Sequence, residues 1–331
     1  MYKRRFHNED LQAYTFLVTG GAGFIGSHIV EYLLTHKAGK VIVLDNLSTG
    51  SKKNVELFIN HPAYEFIEGD IRDKDLVQSL VNQSDFVSHQ AALGSVPRSI
   101  KDPLTTNDVN ITGFLNVLNA VKNAPKTRRM VYAASSSTYG DSQELPKVED
   151  RTGNPLSPYA VTKLVNELYA RVFGQLYDTD TVGLRYFNVF GPRQNPEGPY
   201  AAVIPLFISA SVKGQNPVIH GDGMQTRDFT YVENAVQANI KAFFAGPEVK
   251  NQVFNIAAGR RTSLLDLIRI IEKISGRTLT PRHTGPRPGD VRDSLADISK
   301  ARKLLGYDDI VPLEEGLQHT YEYFKQHANE I

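Results

Sequence analysis

The 331-residue sequence contains no cysteine and no tryptophan. Without thiols there are no disulfides, thiolate zinc sites, iron–sulfur clusters or cysteine nucleophiles, and the chain suits a reducing compartment. Its nine histidines form no HExxH or HxH pair, so no metal is expected. An excess of one charge is also missing. Thirty-seven Lys and Arg face 36 Asp and Glu, and the only short basic run is Lys3–Arg5, which argues against nucleic acid as a partner. No window approaches about 18 uninterrupted apolar residues, and Met1–Tyr14 is polar where a secretion signal needs an apolar core. The expectation is a soluble, cytoplasmic protein with no membrane partner. What is present is apolar material, 41% with 16 Phe and 15 Tyr, enough for a substantial core in two ordinary domains or one large one.

Short apolar runs at Thr15–Thr19, Val41–Leu44, Tyr64–Glu68, Phe86–His89, Met130–Ala134 and Thr181–Tyr186 read as strands. Helical spacing covers Ile25–Leu34, Asp75–Val81, Thr112–Lys122 and Tyr159–Leu176 between them. Such alternation predicts parallel βαβ units in an α/β fold. After Asn188 the texture changes. Pro192, Pro196, Pro199, Pro205 and Pro217, and later Pro281, Pro286 and Pro288, read as loops of a smaller second lobe. Val253–Ile256 supplies a further strand, and Leu264–Ile274 and Leu313–Phe324 two helices.

The segment Thr19-Gly20-Gly21-Ala22-Gly23-Phe24-Ile25-Gly26 leaves a strand and opens a helix. Glycines there permit a tight turn and close backbone approach to a pyrophosphate on the helix N-terminus, although a glycine string alone also serves plain turns. Asp45 follows at the end of the second strand, where a carboxylate accepts both ribose hydroxyls of NAD and repels the 2′-phosphate of NADP. Together they predict a doubly wound, Rossmann-type sheet holding NAD. Gly69-Asp70-Ile71, after the third strand, is placed to face an adenine.

Tyr159 and Lys163 stand one helical turn apart, so both side chains leave the same face. A free phenol titrates near 10, and an adjacent ammonium favours its anion; reaching neutrality needs roughly 4 kcal/mol of differential stabilisation. Tyr321 and Lys325 repeat the spacing in the terminal amphipathic helix, where a solvated face is the better reading. Upstream of the first pair, Ser135-Ser136-Ser137 ends a strand just before Thr138-Tyr139-Gly140, which puts hydroxyls at the carboxyl edge of the sheet.

With these motifs the chain, from about Thr15 to Leu305, resembles the extended short-chain dehydrogenase/reductases, and within them the nucleotide-sugar 4-epimerases that accept N-acetylated UDP-sugars. The loop His89–Ser99 is similar to that subgroup's. The resemblance implies Tyr159, Lys163 and Ser135 as catalytic residues. It extends the NAD site from Gly20, Gly23, Gly26, Asp45 and Asp70 to Phe24, Ile25, Asn46, Ile71, Gln90, Ala91 and Ala92. For the UDP-sugar it implies Asn188 and Arg227, with Arg287 as a second phosphate arginine and the Val218–His220 strand beside the uracil. Ser95, Arg98, Ser136, Ser137, Gln194, Ala202, Val203 and His220 complete the expected substrate contacts. Ser294 replaces a bulky aromatic of relatives restricted to plain hexoses, leaving room for an acetamido group. On this resemblance residues 1–187, with a returning segment about 226–256, form the NAD-binding half, and 188–225 with 257–331 the UDP-sugar lobe. A homodimer is implied, joined through the helix near Asn110–Lys122 and the helix carrying Tyr159.

Family dehydratases and decarboxylases carry an acidic residue after the catalytic serine or threonine, because elimination needs a further acid and base. Ser136 and Ser137 stand there instead. The 4-keto sugar that forms when NAD takes hydride from C4 is then expected to turn over and be reduced on its other face, interconverting UDP-GlcNAc and UDP-GalNAc, with UDP-Glc and UDP-Gal as further candidates. A UDP-hexuronate or UDP-N-acetylhexosaminuronate is the alternative, with Arg98 and Arg193 as carboxylate partners. A non-catalytic dinucleotide-binding protein is the rival outside enzymes; such proteins usually lose the tyrosine or the lysine, and this chain keeps both.

Overall fold

The computed structural model describes residues 2–197, 201–285 and 292–328. Seven strands form one fully parallel sheet: β1 (Thr15–Thr19), β2 (Lys40–Asp45), β3 (Tyr64–Glu68), β4 (Phe86–His89), β5 (Arg129–Ser135), β6 (Thr181–Tyr186) and β7 (Gln252–Ile256). Their order is β7-β6-β5-β4-β1-β2-β3. The direction of winding reverses between β1 and β4, and a doubly wound sheet leaves a crevice beyond the carboxyl ends at that point. Four of those ends carry Thr19, Asp45, His89 and Ser135.

Strands buried on both faces need apolar residues at successive positions, as Phe16-Leu17-Val18 and Val41-Ile42-Val43-Leu44 have, every one of them buried. One face packs against α1 (Phe24–Thr35) and α6 (Val232–Phe244), with Phe16, Val43, Ile29, Val236 and Ile240 in a shared core. The other is covered by α2 (Lys74–Asn82), α3 (Phe114–Asn123) and α4 (Pro158–Tyr177), with Leu17, Val77, Phe114, Met130 and Ala170. α4 starts cleanly: the Ser157 side chain accepts the Ala160 N–H, and Pro158 takes the first position, where a missing donor costs nothing. A third core lies in the second lobe, built by α5 (Val203–Val212), α7 (Leu264–Ser275) and α8 (Leu313–Gln326) with Phe190, Ile219 and Phe229. Among the described residues no helix is long and apolar enough to cross a membrane.

Two local readings of the sequence change. The proline-rich stretch after Asn188 is not all loop, since α5 runs through it; Pro205 is third in that helix, where its N–H would have no intrahelical partner. The helix expected from Thr112 begins earlier as a helical path through Pro103–Asn107 and a π-turn at Asp108–Gly113. That turn aims Asn110 at two segments. Its Oδ1 accepts the Leu93 N–H at 2.8 Å and its Nδ2 donates to Thr162 Oγ1 at 3.1 Å, tying the exit of β4 to α4.

Candidate active site

A cavity of about 620 Å³ opens at the carboxyl ends of β1, β2, β4 and β5. Gly20, Gly23, Phe24, Ile25 and Gly26 form its floor, Asp45, Asn46, Asp70 and Ile71 one end, and Gln90, Ala91 and Ala92 a side. Gly20 has φ +71°, and a Cβ there would sit 2.6 Å from the Ala91 nitrogen, so only glycine lets the loop pass under the end of β4. A Cβ on Gly26 would lie 2.1 Å from the Gly20 carbonyl. Asp45 is held by its own backbone contacts, accepting the Ala22 N–H at 3.0 Å and the Leu47 N–H at 2.9 Å. Burial raises its pKa, and those two N–H groups oppose the rise. Asn46 Nδ2 donates to Asp70 at 2.7 Å, and Arg72 forks onto the same carboxylate, holding it down to about 2.

Tyr159 and Lys163 enter the same cavity from α4, and Ser135 and Ser136 from the end of β5. Ser135 Oγ accepts both the Ser137 N–H at 3.1 Å and the Ser137 hydroxyl at 2.9 Å, so its own proton is free to point elsewhere in the cavity. Burial raises the Tyr159 pKa and the neighbouring Ser135 hydroxyl opposes the rise. Lys163 is buried, donates to the Ala133 carbonyl at 2.8 Å, and has its pKa lowered to about 8 by burial, with Glu167 one turn on working the other way. Its ammonium lies 6.0 Å from the centre of the Tyr159 ring.

Behind this pair is a buried polar bracket that spacing alone does not reveal. Arg185 on β6 forks onto Glu167 at 2.9 and 2.7 Å, and also donates to the Tyr139 hydroxyl at 3.0 Å and the Glu149 carbonyl at 2.9 Å. One guanidinium thus ties α4, the serine turn and the loop before α4 to the strand that leads to Asn188.

A second cavity of about 350 Å³ adjoins the first and shares Ser135, Ser136 and Asn188 with it. Ser137, Lys147, Arg227 and Ser294 line it. The segment carrying Ser294 is stitched on both sides: Ser294 N–H donates to the Thr226 carbonyl at 3.2 Å, and Lys147 N–H to Leu295 at 2.7 Å. Asn188 sits at φ +38° and donates to the Asp228 carbonyl at 3.1 Å.

Residues 16–257 match the model of the family described as the NAD dependent epimerase/dehydratase family. The chain belongs to that family. It is 39% identical over 311 residues to a UDP-glucose 4-epimerase of Mycolicibacterium smegmatis, covering 93% of this chain and 98% of the relative. Among solved structures, a UDP-N-acetylglucosamine 4-epimerase from Methanobrevibacter ruminantium, in complex with UDP-N-acetylmuramic acid, is 40% identical with a TM-score of 0.90 over 95% of this chain and 99% of that one. A UDP-glucuronic acid 4-epimerase from Bacillus cereus, in complex with UDP-glucuronic acid and NAD, is 35% identical with a TM-score of 0.87 over 94% and 99%.

NAD is the family's cofactor, and the residues present fit it: a glycine floor that a Cβ would fill, the N-terminus of α1 above it and a carboxylate at the far end of the cavity. The expected substrate contacts are less evenly placed. Ser95, Arg98, Gln194 and Ala202 line the large cavity with Asn188, whereas Val203 and His220 line neither; His220 bonds Thr284 Oγ1 at 2.8 Å. Arg287 lies outside the described residues. Arg193, the second carboxylate partner of the hexuronate reading, is buried against Glu31 and His28 and lines neither cavity. A carboxyl on α1 outcompetes the site for that guanidinium. Asn110, Lys147, Glu167 and Arg185 were not singled out for roles from sequence; only Glu167 carries a spacing signal, one turn beyond Lys163. Among the described residues no group of three carboxylates or imidazoles could hold a metal.

Proposed function

We propose that the protein is an NAD-dependent 4-epimerase that interconverts UDP-GlcNAc and UDP-GalNAc. The observation that carries the N-acetyl assignment is Ser294, a small residue in the wall of the 350 Å³ cavity that also holds Ser136, Ser137 and Asn188. An aromatic ring at that position would fill space that an acetamido group needs, and the serine hydroxyl can donate to its carbonyl.

NAD supplies a reversible acceptor for the hydrogen at sugar C4. The chain's own residues do the proton work. Tyr159 takes the proton of the 4-hydroxyl, Ser135 hydrogen-bonds that oxygen, and the Lys163 ammonium stabilises the phenolate in a site where desolvation alone opposes it. Asn188 and Arg227 hold the diphosphate, Arg227 with charged hydrogen bonds, while the keto sugar swings to present its other face. Neither serine after Ser135 can act as the extra acid or base of an elimination, so reduction is the route left open. With Arg193 engaged on α1, a hexuronate carboxylate would have only Arg98 of the two arginines.

α4 also presents an apolar stripe to solvent: Val161, Leu168, Val172 and Leu176 are 46%, 42%, 41% and 68% exposed, at spacings that share one helix face. We read it as half of a homodimer contact, which light scattering on the purified protein tests.

The experiment for the substrate is separate incubation with UDP-GlcNAc, UDP-Glc and UDP-GlcNAcA, with products read by NMR. Turnover of the uronate alone would overturn the assignment. Ser294→Tyr should depress kcat/KM for UDP-GlcNAc about a hundredfold more than for UDP-Glc, the range that pocket bulk supports.

A further inference from the structure

Residues 2–13 precede the family match, yet they are fastened to the fold. Tyr2, Phe6 and Leu11 are 1%, 7% and 0% exposed. Phe6 stacks on Tyr32 of α1 with ring centres 5.3 Å apart, and its N–H donates to the Tyr32 hydroxyl at 2.7 Å. Tyr2 goes further. Its hydroxyl lies 2.7 Å from His28 Nδ1, and His28 Nε2 lies 2.8 Å from the Pro192 carbonyl. A carbonyl only accepts, so Nε2 carries the hydrogen. Burial and the neighbouring Arg193 keep the ring neutral, which leaves the Nδ1 lone pair to accept from Tyr2, while the Arg193 guanidinium lies against the ring with Nη2 2.5 Å from Nδ1 and Nε 3.3 Å from Nε2. Arg193 is balanced by Glu31, at 2.5 Å from the same nitrogen.

This relay ends on a functional wall. Pro192 and Arg193 run directly into Gln194, Asn195 and Glu197, which line the large cavity, and Phe24, edge-on to His28 at 5.7 Å, lines it from the glycine side. Residues 191–197 belong to no helix or strand. Their local bonds are short-range: Gln194 N–H to Gly191 at 3.3 Å, Gln194 Nε2 to Val189 at 3.1 Å, and Glu197 N–H to the Asn195 side chain at 2.7 Å. Among the described residues, their hydrogen bonds to the body of the protein run through His28 and Arg193, while Gly191 packs against Val232 and Tyr231.

We propose that Tyr2 and His28 are positioning residues for the UDP-sugar, the N-terminal arm setting, through the His28 ring, where the 192–197 wall of the cavity stands. The inference rests on the reading that a UDP-sugar occupies that cavity. It leaves the chemistry of Tyr159 and Lys163 untouched, so it acts on substrate affinity and not on the chemical step.

The test is Tyr2→Phe in the full chain, assayed on whichever UDP-sugar the wild type turns over, with Arg4→Ala as control. Arg4 is on the same arm but pairs with Asp309, away from His28. Loss of one hydrogen bond in the relay should raise KM about fivefold, with kcat within about twofold, bound NAD unchanged and Tm lowered by only about a degree or two. Arg4→Ala should leave KM as it is. An unchanged KM in Tyr2→Phe overturns the inference, as does an equal rise in Arg4→Ala, which would mean that arm docking in general matters and the relay does not. A wild type that turns over no UDP-sugar sinks the proposed function and this inference together. An active wild type with a Tyr2→Phe to wild-type KM ratio of one sinks the inference alone.

Discussion

Two helices of this protein carry a tyrosine and a lysine one turn apart, and the two pairs live in opposite surroundings. On α4, Tyr159 and Lys163 face a cavity, the lysine is 4% exposed, and its ammonium is held by the Ala133 carbonyl with a buried Glu167–Arg185 pair behind it. On α8, Tyr321 packs partly into the core of the second lobe, Lys325 is exposed, and neither residue lines either cavity. Spacing puts two side chains on one face, which any helix does. What turns such a face into an acid–base device is desolvation against a fixed opposite charge, because only there do the charged and neutral forms differ by several kcal/mol.

The sharpest way to break the comparison is Tyr159→Phe. The ring keeps its packing while the proton-transfer group is lost, so turnover of the UDP-sugar should fall by about 10²–10⁴-fold with near-normal substrate affinity. Steady-state kinetics beside a denaturation curve checks it. Loss of fold in place of turnover would mean that the hydroxyl is structural.

Next in size is Glu167→Gln. The Arg185 guanidinium would then lie buried with no carboxylate partner, at a cost of about 3–5 kcal/mol in denaturant unfolding. Among the described residues no buried partner stands behind Lys325 to produce a matching loss on α8.

The same bracket predicts a pH effect. Lys163 is lowered to about 8 by burial, so its charge is present below that value and lost above it. Since the phenolate needs that charge, kcat/KM should fall as the pH rises through about 8, approaching tenfold per pH unit beyond it. Glu167 favours the ammonium, so Glu167→Gln should move the limb to lower pH; a limb that stays put would detach Glu167 from the proposed catalytic pair.

These contrasts mark how far the sequence could be read. The strands of the main sheet and the glycine loop were legible because buried parallel strands and pyrophosphate turns each demand a residue pattern within a few positions, as Leu17-Val18 and Gly20 to Gly26 have. Arg185 with Glu167, and Tyr2 with His28, were not. The first pair is 18 residues apart and joined only when β6 meets α4, the second 26 apart and joined only when the N-terminal arm meets α1, and no local period marks either. Arg193 shows the converse failure: a cationic residue beside a binding loop looked available for a carboxylate, and Glu31 on α1 already holds it. Met1–Tyr14 read only as a polar stretch because Tyr2, Phe6 and Leu11 are scattered among charges, yet all three are buried.

The smallest effect is expected on α8, and it is the control that gives the first prediction its meaning. Tyr321→Phe keeps the aromatic ring that packs against the second-lobe core and removes only a hydroxyl; Lys325→Ala removes an exposed charge in the last turn of the helix. Substitutions of that kind usually stay within about 0.5 kcal/mol, and the charge near the helix C-terminus is worth a similar amount at low salt. Both variants should therefore keep wild-type kcat and KM and unfold within a degree or two of wild type, roughly what 0.5 kcal/mol amounts to in a chain of this size. A loss of turnover in Tyr321→Phe comparable to that in Tyr159→Phe would show that spacing had been enough after all, and that burial beside Lys163 and Glu167 is not what distinguishes the two pairs.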